Sequence, residues 1–307
     1  MPISIFGFQA LWSPVYLGVL VLITILYFLV LVKWRGKFKE SEPLTFKEAM
    51  LFVSGIILLY AVKGSPVDLL GHILFSFHMA QMAILLLIIP PLFIMGIPTW
   101  TWRAFIELPV VKPLFNFFSK PMLAILIFTL VFSFYHIPLI FDFVKQGVLI
   151  HGVVNIILFT SAIFYWWPVV NNLEGMHKFH GLKKLGYLFG LSVTLTPACA
   201  LIIFGVNPFY ATYTDGEAWL QAMALCVPTG TLSQLGLSGP EMFSSMSPLE
   251  DQRTGGIIMK VVQELAFTVF LWMVFYEWLR NENENADEIT AKALRDREYM
   301  AYHRHNA

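Results

Sequence analysis

Charged residues are scarce in this sequence: 13% of its 307 residues are Asp, Glu, Lys or Arg, whereas a soluble domain carries about 25%. The positive and negative residues balance at 20 each, so the formal net charge is zero and no excess of basic residues indicates nucleic acid as a partner. The two cysteines, Cys199 and Cys226, are too few for a disulfide framework and lack CxxC spacing. Hydrophobic residues make up 57% of the chain, and this composition indicates an integral membrane protein.

Several enzyme motifs are also missing. The sequence contains no HExxH zinc-protease motif, no GxSxG nucleophile motif, no Walker motif and no GxGxxG in a strand–helix setting. We therefore expect a protein that is not an enzyme. No Lys or Arg precedes Lys33, so the first apolar run lacks the basic start of a signal peptide and is predicted to be a retained helix.

Seven apolar stretches are long enough to cross a bilayer as helices, which takes about 20 residues. They are Pro14–Val32, Phe46–Val62, Leu69–Gly96, Pro121–Phe141, Val148–Val170, Leu185–Val206 and Gly256–Leu279. The pair Pro90-Pro91 predicts a break or kink near the inner end of the third stretch. The sequence thus predicts an all-α, polytopic membrane protein with about seven transmembrane helices in contact with the lipid bilayer.

The positive residues predict the orientation. Sixteen of the 20 lysines and arginines lie in the loops after the first, third and fifth spans and in the C-terminal tail. The other four are Lys63, Lys145, Arg253 and Lys260. Because positive residues concentrate on the cytoplasmic side, the N-terminus is predicted to lie outside and the C-terminus in the cytoplasm.

Two parts of the chain are too polar to span the membrane. Residues 207–255 form a predicted outer loop, with a short helix around Trp219–Leu225. Residues 281–307 form a predicted polar cytoplasmic tail, helical from Asp287. The predicted organisation is therefore one transmembrane domain over residues 1–280, followed by this tail.

Four histidines lie in the predicted spans, where ionisable groups are costly and often functional. His72 and His78 belong to the third span, His136 to the end of the fourth and His151 to the start of the fifth. With the N-terminus outside, His72, His136 and His151 all fall near the outer boundary. His78 lies about 9 Å deeper, at 1.5 Å per residue. The remaining four histidines are in the cytoplasmic loop and tail, where a solvated surface role is expected.

Thioether side chains accompany these histidines. Met79 lies seven residues after His72, and Met82 lies four residues after His78, so each pair shares a helix face. Asp251 and Met259, at the outer start of the seventh span, reach a similar depth. Imidazole together with thioether, without paired thiolates, favours copper over zinc, and Cu(I) in particular.

A purely structural role is the alternative. Methionines in a membrane span are commonly packing residues, and a buried histidine can be held by hydrogen bonds. Asp68 lies four residues before His72 and is predicted to orient its ring. On a straight helix, His72 and His78 differ in both depth and direction and should not bind the same ion.

Several motifs together resemble the CtaG family, the cytochrome c oxidase assembly factors of Bacillus-type bacteria. The resemblance covers the chain to about Leu279. The residues that carry it are Leu11-Trp12-Ser13-Pro14, His78-Met79-Ala80-Gln81-Met82, Pro90-Pro91-Leu92, Gly96-Ile97-Pro98, Tyr135-His136-Ile137-Pro138 with Asp142, His151, Trp166-Trp167-Pro168, and Asp251-Gln252 with Gly255-Gly256 and Met259. Many wider relatives carry a second histidine as HMxQHM, where this chain has Gln81-Met82.

The resemblance implies a multi-pass cell-membrane protein that is needed to make an active caa3-type oxidase and that supplies or inserts copper. Oxidase subunits are the implied partners, and copper, held transiently as Cu(I), is the implied metal. Three other hypotheses remain open at this point: a transporter for copper or another small solute, a haem- or quinone-linked redox protein, and a scaffold for oxidase subunits. The predicted metal residues are His72, His78, Met79, Met82, His136, His151, Asp251 and Met259.

Overall fold

The structure, a computed structural model, describes residues 1–38 and 40–286 together with residues 290, 294, 295 and 297. These residues form helices and connecting turns and include no β-strand, which confirms the predicted all-α class. The first α-helices are α1 (Gly7–Trp12), α2 (Pro14–Phe28), α3 (Phe46–Lys63), α4 (Pro66–Ile73), α5 (Phe75–Ala83), α6 (Ile89–Gly96), α7 (Thr99–Ile106) and α8 (Val111–Phe118). The others are α9 (Pro121–Tyr135), α10 (Pro138–Lys145), α11 (Val148–Val170), α12 (Gly181–Ile203), α13 (Gly216–Met223), α14 (Thr229–Leu235) and α15 (Pro248–Glu284).

The described residues include five helical segments that are long and apolar enough to cross a membrane. They are Ile3–Lys33, Phe75–Gly96, Val148–Val170, Gly181–Ile203 and Pro248–Glu284. Two bent pairs, α3 with α4 at 43° and α8 with α9 at 82°, raise the number to seven if each pair is one span. This agrees with the predicted membrane protein of about seven spans, while its orientation remains a prediction.

The predicted third span, Leu69–Gly96, is divided in the structure. The backbone of Leu74 is extended (φ −129°, ψ 135°), so α4 ends at Ile73 and α5 begins at Phe75. Of the break or kink predicted at Pro90-Pro91, the structure shows no break, because the chain remains helical from Phe75 to Gly96, and a local distortion directly before the prolines. This distortion is a π-helical turn over Ile84–Ile88, and such a turn accommodates the absence of N–H groups at Pro90 and Pro91.

The predicted fourth span, Pro121–Phe141, also ends early. Helix α9 stops at Tyr135, and α10 starts at Pro138. Because the residue before a proline is driven out of the helical region, Ile137 is extended (φ −67°, ψ 127°). His136 therefore lies in the turn between α9 and α10 and not on the face of a helix.

The predicted outer loop 207–255 is more helical than expected. It contains the short helix predicted near Trp219, observed as α13, and also α14. Trp219 is fully buried and packs in one hydrophobic cluster with Leu69 and Ile73 of α4. The carboxylate of Asp142 accepts hydrogen bonds from the Ala211 and Thr212 amides at 3.0 and 2.9 Å. The Trp219 cluster thus holds the segment, and with it Cys226, against α4, while the Asp142 contacts hold it against α10. The helix predicted from Asp287 falls largely outside the described residues.

Helices α3 and α6 approach closely at Gly96. A β-carbon at this position would lie 2.6 Å from the backbone nitrogen of Phe52, and the Gly96 carbonyl accepts a 2.7 Å hydrogen bond from the Tyr27 hydroxyl. We expect Gly96→Ala to lower the free energy of unfolding by about 1–3 kcal/mol, because overpacked backbone cannot relax easily. Thermal unfolding of the purified protein in detergent measures this effect.

The matched control is Gly18→Ala in α2. A β-carbon there meets no atom within 4 Å, so removal of glycine's backbone freedom should stabilise the helix by about 0.5–1 kcal/mol. Equal loss of stability in both variants would contradict the close approach at Gly96.

Candidate functional site

The structure brings the four histidines of the predicted spans into two pairs. The ring centroids of His72 and His151 are 5.6 Å apart, and those of His78 and His136 are 6.3 Å apart. The break at Leu74 separates His72 on α4 from His78 on α5. The sequence placed His72, His136 and His151 at one level with His78 below. In the structure His72 instead neighbours His151 (the upper pair), and His78 neighbours His136 (the lower pair). The helix predicted to carry both His72 and His78 is broken between them.

Several imidazole nitrogens in these pairs are buried without a hydrogen-bond partner among the described residues. They are both ring nitrogens of His78, Nε2 of His136 and Nδ1 of His151. The other nitrogen of His136 lies 2.8 Å from the Phe132 carbonyl. A buried polar group without a partner costs about 1–3 kcal/mol. Such nitrogens in neighbouring rings are therefore candidates for binding a ligand that supplies the missing partner.

Aromatic side chains enclose the lower pair. The ring of His78 lies 5.1 Å from Phe141 in an edge-on arrangement and 6.0 Å from both Phe75 and Tyr135. His136 lines a cavity of about 350 Å³ that extends between α9 and α12. The surroundings are apolar enough to exclude competing water from the imidazoles, while the cavity gives this pair an approach from the side.

The three predicted methionine ligands lie inside the main hydrophobic cluster. Met79, Met82 and Met259 are at most 1% exposed and pack with this cluster. Met79 fits against α15, since a β-carbon at Gly255 would lie 3.1 Å from its Cγ atom. Packing alone accounts for the burial of these thioethers, and the structure adds no polar contact that points to a ligand role for them.

Asp251 has a defined structural role. Its Oδ2 and Oδ1 atoms accept hydrogen bonds from the backbone N–H groups of Phe75 and Ser76, at 2.6 and 3.1 Å. The carboxylate thus caps the N-terminus of α5 from a distant helix, a position that also favours negative charge. Asp251 thereby holds the start of α5 in the direction that brings His78 toward His136. It acts through the backbone of α5 and not through the imidazole rings.

A further group of metal-ligand side chains lies beside His72. One ligand atom from each of Asp68, His72 and Cys226 falls within 4.8 Å of the others. The Cys226 thiol lies 3.6 Å from Oδ2 of Asp68, and burial, reinforced by that carboxylate, raises the pKa of the thiol. Oδ1 of Asp68 is held by Lys63 at 2.8 Å and by the Gln81 amide at 2.6 Å. The Asp68 carboxylate, predicted to orient His72, is thus engaged mainly by these two residues.

Lys145 is a second residue that the sequence did not single out. It is only 1% exposed, and its Nζ atom lies 3.5 Å from Nδ1 of His72. No carboxylate of the described residues lies within 4 Å of it. Lys145 follows α9 and precedes α11, between the candidate spans, and burial together with the charge of Lys63 lowers its pKa to about 7.

The charge pattern contained a signal for this cluster. Lys63 and Lys145 are two of only four positive residues predicted on the outer side, and an exception to the positive-inside rule can mark a functional group. Cys226 offered no comparable signal, because its spacing from Asp68 and His72 along the chain is 158 and 154 positions and only the folded segment 207–255 brings it near them.

Comparison with known proteins places the chain in a family. Searches of curated proteins and of solved structures returned no match. Residues 25–281 match the family described as cytochrome c oxidase caa3 assembly factor (Caa3_CtaG), a stretch that includes both histidine pairs and the capping residue Asp251. Since this match covers most of the 307 residues, the chain belongs to the family of cytochrome c oxidase caa3 assembly factors.

Proposed function

We propose that this protein assists the assembly of a caa3-type cytochrome c oxidase in the cell membrane by holding copper near the outer face and passing it to an oxidase subunit. Family membership supports the assembly role and an oxidase as the partner. The copper step rests on one observation: buried imidazole nitrogens without partners occur in neighbouring rings. In this role the protein carries a metal ion and catalyses no covalent reaction.

The spacing of the rings fits metal binding. A bound imidazole nitrogen lies about 2.0–2.1 Å from an ion such as zinc, so two imidazoles on one ion have centroids roughly 5–6.5 Å apart. The pairs His72–His151 and His78–His136, at 5.6 and 6.3 Å, both fall in this range. Imidazole is a good ligand for copper. The centroid separation of the wider pair is near the upper end of this range, which corresponds to two imidazoles on opposite sides of a two-coordinate ion.

A small ligand set also suits transfer. A carrier must release its ion, and a pair of imidazoles holds copper less firmly than a closed four-ligand cage. The rings of His78 and His136 come from α5 and from the turn before α10, so movement of either element would open the pair. The cavity beside His136 gives a partner or a small copper complex a way to reach it.

Copper binding by a double variant tests the proposal. We expect His78→Ala/His136→Ala to lose copper after the purified protein is loaded with Cu(I), and to lower the yield of active oxidase in cells. The matched control is His180→Ala, which removes an exposed imidazole in the loop between α11 and α12. Metal analysis gives the copper content, and thermal unfolding of the metal-free proteins shows whether each variant is folded.

Equal copper in the double variant and in the wild type would contradict the proposed site. If oxidase assembly then also remained unchanged, the histidine pair would have no part in the function. If assembly fell without any loss of copper, the pair would serve as a structural element of a scaffold for oxidase subunits.

A further inference from the structure

We infer that Asp68, His72 and Cys226 form a second metal site, which takes a monovalent soft cation and discriminates against divalent ions. This inference deepens the proposed copper function and rests on it for the identity of the ion. The site lies where the outer segment covers the N-terminal part of α4, beside the upper histidine pair. Its ligand set is a thiol, an imidazole and a carboxylate whose atoms fall within 4.8 Å of one another.

The fold places these ligands from two separate parts of the chain. Asp68 and His72 are four residues apart on α4, so their side chains share one face. Cys226 follows α13, whose buried Trp219 packs against α4. Formation of the site therefore requires the outer segment to be docked, and the segment that a partner would meet first also supplies a ligand.

The oxygen of Asp68 that faces Cys226 is not the one that pairs with Lys63. Lys63 and Gln81 both donate to Oδ1, while Oδ2 faces the Cys226 thiol at 3.6 Å. Gln81 also donates to the Val62 carbonyl, so its amide is fixed between two helices. The carboxylate is held in place by these donors, and an ion bound to sulfur would not have to displace Lys63.

Charge balance decides which ion the site accepts. The charged groups around it are Asp68, its partner Lys63, and Lys145 beside His72. When Cu(I) binds, the S–H bond breaks, an S–Cu bond forms and one proton leaves to solvent, so the net charge of the site stays constant. A divalent ion would add one positive charge next to the partly exposed Lys63 and the buried Lys145, which is costly at low dielectric. Thiolate is a soft ligand that takes both Cu(I) and zinc, so the charge of the two lysines decides between them.

The second site is continuous with the upper histidine pair. His72 belongs to both, since its ring lies 5.6 Å from that of His151. An ion held by Cys226 and His72 thus has a further imidazole within reach without leaving the protein. The break at Leu74 then separates this region from the lower pair on α5.

Replacement of the two cysteines tests the inference. We compare Ag(I), a redox-stable probe for Cu(I), with Zn(II) on the purified full-length protein, by competition with a chromophoric chelator. Loss of an outer-shell group alone costs about 10- to 100-fold in metal affinity, so Cys226→Ser is expected to lower Ag(I) affinity at least that much. The matched control Cys199→Ser removes a buried thiol in α12, 4.0 Å from Oε1 of Gln263, and should leave the affinity unchanged.

A spectroscopic signature separates ligation from folding. Cu(I) bound to thiolate gives an ultraviolet charge-transfer band, which we expect in the wild type and in Cys199→Ser but not in Cys226→Ser. Cys226→Ala serves as a second variant, and the unfolding temperature of each metal-free protein shows that it is folded. A band that persists in both Cys226 variants, or Zn(II) binding as tight as Ag(I) binding, would overturn the inference.

The double histidine variant distinguishes failure of this inference from failure of the proposed function. If His78→Ala/His136→Ala loses copper while Cys226→Ser binds Ag(I) like the wild type, the histidine pair is a copper site and the second site is wrong. If Cys226→Ser loses the band while the double histidine variant keeps all its copper, the second site stands and the proposed pair is wrong.

Discussion

Replacing Asp251 with alanine is expected to destabilise the protein by about 2–6 kcal/mol, because two buried amides lose their acceptor and each unpaired donor costs about 1–3 kcal/mol. The amides belong to Phe75 and Ser76, and Asp251 itself is 4% exposed. Leu74, the residue at the start of α5, provides no side-chain cap. The α5 terminus therefore depends on a carboxylate from α15, and thermal unfolding in detergent should show a large fall in the unfolding temperature.

Two further variants sharpen this test. Asp251→Asn retains one carbonyl oxygen as an acceptor and should lie between the wild type and the alanine variant. Glu250→Gln, one residue earlier, alters an exposed carboxylate that accepts from Ser247 at the start of α15, and its effect should be small. A wild-type unfolding temperature for Asp251→Ala would rule out the cap as a source of stability.

Loss of the Asp251 cap should also weaken copper binding at the lower histidine pair. His78 lies in the first turn of α5, two residues after the second capped amide. Loss of the cap would let this turn unwind and carry the imidazole away from His136. The expected result is a partial loss of copper in Asp251→Asn at a temperature where the protein is still folded.

Much of the membrane architecture followed from the sequence, because hydrophobic length and helix rise are local properties. The predicted fifth span, Val148–Val170, has the observed bounds of α11. The turn after Tyr135 also has a local cause in Pro138. The break at Leu74 has none: neither glycine nor proline stands there, and the capping carboxylate comes from a residue 176 positions from Phe75. Only the tertiary fold could reveal it.

The candidate site was likewise predicted only in those features that depend on local sequence. Depth along the helices brought His72, His136 and His151 to one level, but which rings become neighbours depends on the break at Leu74. The position of Cys226 depends on how the segment 207–255 packs on α4. Spacing along a single helix predicts shared faces, whereas ligands that come from separate segments are placed by packing, and no periodic pattern in the sequence encodes that placement.

Replacing Lys145 with methionine is expected to stabilise the protein by about 1–4 kcal/mol, the range observed when buried ion pairs are exchanged for apolar residues of similar volume. Desolvation penalises the charged form of the buried Lys145 by several kcal/mol, which is also the main reason why its pKa falls to about 7. Its nearby groups are the rings of Phe141 and Tyr213, at 5.7 and 6.0 Å, and the imidazole of His72. The two cation–π contacts together offset only part of this cost, about 1–4 kcal/mol, and no carboxylate of the described residues pairs with Lys145, so the unfolding temperature should rise.

The gain in stability should come with a loss of metal selectivity. Without the charge of Lys145 beside His72, a divalent ion meets less repulsion, so the ratio of Ag(I) to Zn(II) affinity should fall. Lys63→Met is the control of opposite sign: Lys63 pairs with Asp68 at 2.8 Å, and its removal leaves a largely buried carboxylate without its cation and should destabilise the protein. If Lys145→Met were instead less stable than the wild type and equally selective, the two rings and His72 would fully offset the desolvation cost of Lys145. The lysine would then have only a structural role. A rise in stability joined to a fall in selectivity is the result expected of a charge retained for its effect on the bound ion.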